Sequence, residues 1–187
     1  MYCPTRYESI KPHLSWCAKH QGRMSQPVLT AEEVLRWNEA TSAAWRKLLS
    51  EHPELLTAFC DIAKTSTIAQ LLQHIVAVEL RYAERLAGVS ETAYEQIPFD
   101  TVEKIYATHD RAVSLFRQAI SADLDWDRVM EFTTRSRGAA KASLKTILFH
   151  ALLHGQRHYA QLGTLVRQHG YVIEGPGDYL LMGIDWN

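Results

Sequence analysis

Ile147-Leu148-Phe149-His150-Ala151-Leu152-Leu153-His154-Gly155-Gln156-Arg157-His158-Tyr159-Ala160-Gln161-Leu162 is the stretch whose reading decides the fold. His150, His154 and His158 recur at every fourth residue, which on a helix sets them in one ascending row, each about 40° from the next. Leu144, Ile147, Leu148, Ala151, His158, Leu162 and Leu165 form the apolar stripe of that helix. His154 and His158 therefore point inward, and His150 is more peripheral. A single histidine on an apolar face is ordinarily a core residue bonded to a carbonyl or hydroxyl. Two inward histidines at i, i+4 are different. Burying both rings without partners is costly, and their spacing brings them close enough to chelate one ion.

Two imidazoles do not complete a coordination shell, so a third ligand must come from a facing helix. His74 is the best candidate, because it lies mid-helix at the edge of an inward stripe. His109 also falls inside an apolar stripe and is the alternative third ligand, or a fourth. Three neutral nitrogens leave positions open for water or substrate, as in catalytic rather than structural sites. The site is not of the HExxH type: Gly155 stands where that motif places its glutamate, so no general base is built in between the ligands.

Outward from this stretch, the last helix is expected from about Lys141 to His169, ended by Gly170. Three more amphipathic segments precede it. Thr30 with Glu33 forms a capping box for a helix from about Ala31 to Ser50, whose inward face carries Val34, Asn38, Thr41, Trp45 and Leu48. Ser66 is expected to cap a helix from about Thr67 to Ala87 with stripe Ile68, Leu71, Ile75, Val78, Tyr82 and Leu86, with His74 and Glu79 at its two edges. Asp100 is expected to cap a third helix, to about Ser121, with stripe Val102, Ile105, Tyr106, Val113, Phe116 and Ile120. Val129 to Thr134 alternates weakly and reads as a short extended piece. Four long amphipathic helices with little strand signal give an all-α, four-helix bundle.

Residues 1–29 read as an irregular N-terminal extension punctuated by Pro4, Pro12, Gly22 and Pro27, and residues 30–187 as one bundle domain with an irregular C-terminal tail. Met24 could itself be a natural start. Cys17 and His20 have ligand-like spacing but do not by themselves make a zinc site.

The chain has 187 residues, 47% hydrophobic and 22% charged, with a net charge of −1. These are globular values and give no electrostatic reason to expect nucleic acid or an anionic membrane. Arg135, Arg137, Lys141 and Lys145 form a modest basic stretch that reads as a solvated face. Three widely spaced cysteines do not form a disulfide framework and fit a reducing compartment. With Lys11, His13 and Lys19 interrupting the N-terminus and no spanning helix expected, the reading is a cytoplasmic protein.

The histidine-bearing stretch resembles the last core helix of the DinB family. Asp125-Trp126-Asp127 and Phe132-Thr133-Thr134-Arg135 resemble the linker of one branch of that family, and Leu72-Gln73-His74-Ile75-Val76-Ala77-Val78-Glu79 resembles its second helix with a single ligand histidine. The resemblance covers about Thr30 to Gly170. It implies an up-down-down-up bundle, commonly a homodimer, and a three-histidine site for one divalent ion such as nickel or zinc. By position the ligands are His74, His154 and His158. Some relatives are thiol-dependent transferases or isomerases that use a low-molecular-weight bacterial thiol; others are known by induction on DNA damage.

The expected function is thus a divalent-metal-dependent enzyme of thiol S-transferase or hydrolase type acting on a small molecule. Asn38, Glu79 and His109 are the candidate catalytic groups, and His150 is a supporting residue beside the ligands. Against these roles, Asn38 could bond backbone, Glu79 could pair with Arg81 or Arg85, and His109 could be a core residue. The alternatives are a non-catalytic small-ligand or stress-response binding protein on the same bundle, and a structural dimer with vestigial histidines.

Overall fold

The computed structural model describes residues 28–135 and 138–184. Four helices dominate: α1 (Ala31–Glu51), α2 (Ile68–Leu86), α3 (Val102–Ser121) and α4 (Leu144–Gln168). A hairpin of β1 (Val129–Thr134) and β2 (Gly138–Ser143) stands between α3 and α4, antiparallel, with Val129 opposite Ser143 and Thr134 opposite Gly138. The expected irregular extension lies almost wholly outside the described residues, as do Cys17, His20 and Arg137. No helix among the described residues is long and apolar enough to cross a membrane.

The helix directions follow from which side chains meet. Arg46 pairs with Asp110 and Glu39 with Arg117, so α1 and α3 are antiparallel. Thr41 meets Gln156 and Trp45 stacks on Tyr159, so α1 and α4 run the same way. His74 lies against His158 and Tyr82 against His150, so α2 opposes α4. Glu79 meets His109 and Glu84 meets Arg111, as parallel α2 and α3 require. The order is up-down-down-up.

Parallel α2 and α3 need a connection that travels back the full length of α2. Residues 88–101 do this, and they are held by buried polar groups. The Glu84 carboxylate accepts from the Thr92 backbone N–H and hydroxyl, both at 2.7 Å, and Gln73 Nε2 donates to the Ile97 carbonyl at 2.6 Å. Arg85 bonds Glu91 and lies over the rings of Tyr82 and Phe132, which fixes the hairpin against α2.

Trp45, Leu71, Ile75, Ile105, Tyr106, Phe116 and Ile147 fill the core where the four stripes meet. The capping box Thr30–Glu33 forms as expected. Gly88 and Gly170 follow α2 and α4 with φ of 69° and 85°, the left-handed turn that ends a helix. Beyond α4 the tail folds back on α1: Trp37 Nε1 donates to the Pro176 carbonyl at 2.8 Å, and Gly175 sits so close to Ala44 that a Cβ there would lie 2.4 Å from the alanine methyl.

Three expectations need correction. Thr67, not Ser66, caps α2, because its side chain accepts from Gln70 N while the Ser66 N–H is taken by the Gln70 side chain. Thr101, not Asp100, caps α3, and Asp100 instead pairs with Lys104. Helix α4 begins at Leu144 rather than Lys141, capped by Ser143, because Gly138–Ser143 is a strand paired to β1. In the basic stretch, Lys141 pairs with Glu131, Lys145 with Asp127, and Arg135 lies over the Tyr94 ring.

Candidate metal centre

Helix α2 presents His74 and α4 presents His154 and His158 to a common point. Their ring centroids lie 4.8 Å (74 to 154), 5.1 Å (74 to 158) and 4.5 Å (154 to 158) apart. One ring nitrogen from each lies within 4.8 Å of the others. His154 and His158 are buried, and His74 is half-buried.

Two details test whether these residues fit an ion. His154 Nδ1 is buried without a hydrogen-bond partner, a state that ordinarily costs free energy. His158 Nδ1–H donates to Gln161 Oε1 at 2.7 Å, which leaves Nε2 with its lone pair free to accept. The Arg157 guanidinium donates to that Nε2 at 3.0 Å. An orphaned nitrogen, a fixed tautomer and three convergent imidazoles make a donor set that could hold a divalent ion.

The electrostatics hold the rings neutral. Burial, then the neighbouring His158 and the guanidinium groups of Arg135 and Arg157, lowers His74 from 6.5 to about 4. Burial, then His158, His74, Arg157 and His150, lowers His154 to about 2. Burial also lowers His158, against the opposing hydrogen bond to Gln161. Neutral imidazole is the ligating form.

These shifts carry a stability consequence for the metal-free chain. His74 and His154 are neutral when folded and titrate near 6.5 when unfolded, so between pH 6.5 and about 4 the unfolded state binds more protons. Stability is expected to fall as the pH drops through that window. Thermal melts in chelator from pH 7 to 5 should show a steeper decline for the wild type than for His154→Ala; identical slopes would contradict this.

Asn38, Glu79 and His109 meet one another and not the three-histidine group. Glu79, 1% exposed, accepts from Asn38 Nδ2 at 2.8 Å on one oxygen and bonds His109 Nδ1 at 2.7 Å on the other. Arg81 and Arg85, the local partners considered for Glu79, bond Glu91 instead. Burial alone would lower His109, but the charge and hydrogen bond of Glu79 outweigh it and hold the ring above its ordinary value. His150 is exposed, its ring 5.6 Å from that of His154 and 5.4 Å from that of Tyr82. Sequence reasoning missed Gln161 and Arg157. The i, i+3 spacing of His158 and Gln161 was the available signal for the first.

Gly155 packs this buried triad against α4. A Cβ built there would lie 3.0 Å from Glu79 Oε1 and 3.2 Å from Asn38 Nδ2, whereas one at Gly163 would meet nothing within 4 Å. Alanine favours a helix interior over glycine by roughly 1 kcal/mol. Gly163→Ala is therefore expected to stabilise by up to about 1 kcal/mol, and Gly155→Ala to destabilise by up to about 2 kcal/mol, because crowding of this kind costs about 1–3 kcal/mol against the same propensity gain of about 1 kcal/mol. Denaturant unfolding of the two variants checks the opposite signs.

Fold and site together define an up-down-down-up helical bundle with a three-histidine group suited to a metal ion. The family model described as "DinB family" matches residues 24–186, and the chain belongs to the DinB family. No curated protein sequence matches the chain.

Proposed function

We propose that the protein is a divalent-metal-dependent enzyme of the thiol S-transferase or hydrolase type, with His74, His154 and His158 as ligands and nickel or zinc as the ion. The observation that carries this reading is the convergence of three neutral imidazoles from two helices, with no carboxylate or thiol among the converging groups. When bound, such an ion lowers the pKa of a water or thiol and polarises a substrate oxygen. The chain's own residues hold the imidazoles: Gln161 fixes the His158 tautomer, and burial keeps His74 and His154 unprotonated. A low-molecular-weight thiol is the proposed nucleophile and a homodimer the proposed assembly.

The test is an assay of the nickel- or zinc-loaded chain, purified without a histidine tag, against small thiols paired with electrophilic acceptors. Turnover well above that of His154→Ala supports the enzyme; equal rates contradict it. One observation favours a second reading, a non-catalytic ligand-binding protein. Asn38, Glu79 and His109 bond one another and lie outside the converging group, so none of the three stands beside the histidines as a general base. A melting shift on ligand addition without turnover would mark that case.

A further inference from the structure

Arg157 donates to a histidine nitrogen rather than to a carboxylate. Among the described residues no ion pair engages Arg157 or Arg135, as is also true of Arg36, Arg128 and Arg167, whereas Arg46, Arg81, Arg85, Arg111 and Arg117 each have an acidic partner. The contact at 3.0 Å sets the exposed Arg157 guanidinium at the free lone pair of a ligand ring. That nitrogen cannot accept from Arg157 and bind an ion at once, so occupation of the centre releases the guanidinium where it stands.

Arg135 approaches from the hairpin. Its guanidinium lies 3.8 Å from the centroid of the Tyr94 ring. Tyr94 belongs to the connection that reaches the start of α2 through the Gln73–Ile97 hydrogen bond, one residue from His74. The hairpin that carries Arg135 also sets Phe132 against Tyr82, whose ring lies 5.4 Å from that of His150 in the histidine row of α4. Three neutral ligands also leave the charge of a divalent ion uncompensated. Guanidinium groups bind carboxylates and phosphates in paired hydrogen bonds, and a site holding two of them beside a dication selects for negative charge.

The geometry points to Arg157, assisted by Arg135, as an oxyanion-recognition subsite beside the three histidines, so that the small molecule taken up carries a carboxylate or phosphate group. This rests on the metal-centre reading, and the experiment separates the two. Malonate, inorganic phosphate and the neutral isostere malonamide are titrated calorimetrically into the metal-free and zinc-loaded chain, for the wild type, Arg157→Gln and Arg135→Gln. Zinc per chain is measured alongside.

At least one anion is expected to bind the wild type tenfold or more tightly than Arg157→Gln and severalfold more tightly than Arg135→Gln. Malonamide should not distinguish the variants, and zinc content should not change. The tighter anion tells carboxylate from phosphate. Equal anion affinity in the wild type and Arg157→Gln, or no anion binding to the wild type, overturns the subsite even where zinc is bound. A wild type that takes up no zinc overturns the metal centre instead, and the metal-free titrations then decide the subsite by the same comparison.

Discussion

His109→Ala is expected to destabilise the folded chain by about 3–5 kcal/mol, the cost of leaving one member of a buried ion pair without its partner. Glu79 is 1% exposed and His109 4% exposed, so neither charge has recourse to water. With the imidazole gone, one Glu79 oxygen keeps Asn38 and the other, previously 2.7 Å from His109 Nδ1, has nothing in its place. Removing both charges, as Glu79→Leu with His109→Leu, should cost less than His109→Ala alone, because no uncompensated charge is then buried. Denaturant unfolding of the single and double variants measures this. The pair also has a pH signature opposite to that of the metal-site histidines. Because His109 is raised in the folded state, its contribution is complete below the ordinary value of 6.5 and is lost as the pH rises through the raised value. Metal uptake by His109→Ala should match the wild type under conditions where it is folded, since His109 is not in the converging group.

The second large effect is on metal affinity. His154→Ala is expected to weaken binding of zinc or nickel by more than the roughly 10–100-fold typical of losing a residue that merely orients a ligand. His150→Ala, an exposed residue whose ring lies 5.6 Å from that of His154, should fall within about tenfold of the wild type, at the low end of that range. Removal of His154 should also be cheap for the metal-free fold, because the ring carries a buried Nδ1 without a partner and its loss removes that penalty. Competition with a chromophoric chelator gives the affinities. Equal affinity in His154→Ala and the wild type would show that His154 is not a ligand.

How much of this was legible in the sequence depends on how local each cause is. The four helices were readable because their stripes repeat at the helical period over 19 to 25 residues. The pair His154 and His158 was readable for the same reason: four residues on a helix is a contact. Their third partner was not fixed by spacing, since His74 and His109 both sit on inward faces; resemblance to the DinB family favoured His74, and the fold brings it to the pair. Caps misplaced by one residue reflect adjacent residues that can both cap, Ser66 with Thr67 and Asp100 with Thr101. Strand β2 was missed because Gly138-Ala139-Ala140-Lys141-Ala142-Ser143 has no β-branched or aromatic residue, and its extended state comes from pairing with β1. The partners of Glu79 were sought on its own helix, yet they come from α1 and α3, 41 and 30 residues away.

X-ray absorption at the metal edge of the zinc-loaded, untagged chain examines the centre itself. Three imidazole nitrogens at about 2.0–2.1 Å, falling to two in His74→Ala, is the predicted result. A shell with fewer than three imidazoles in the wild type, or one unchanged in His74→Ala, would contradict the assignment.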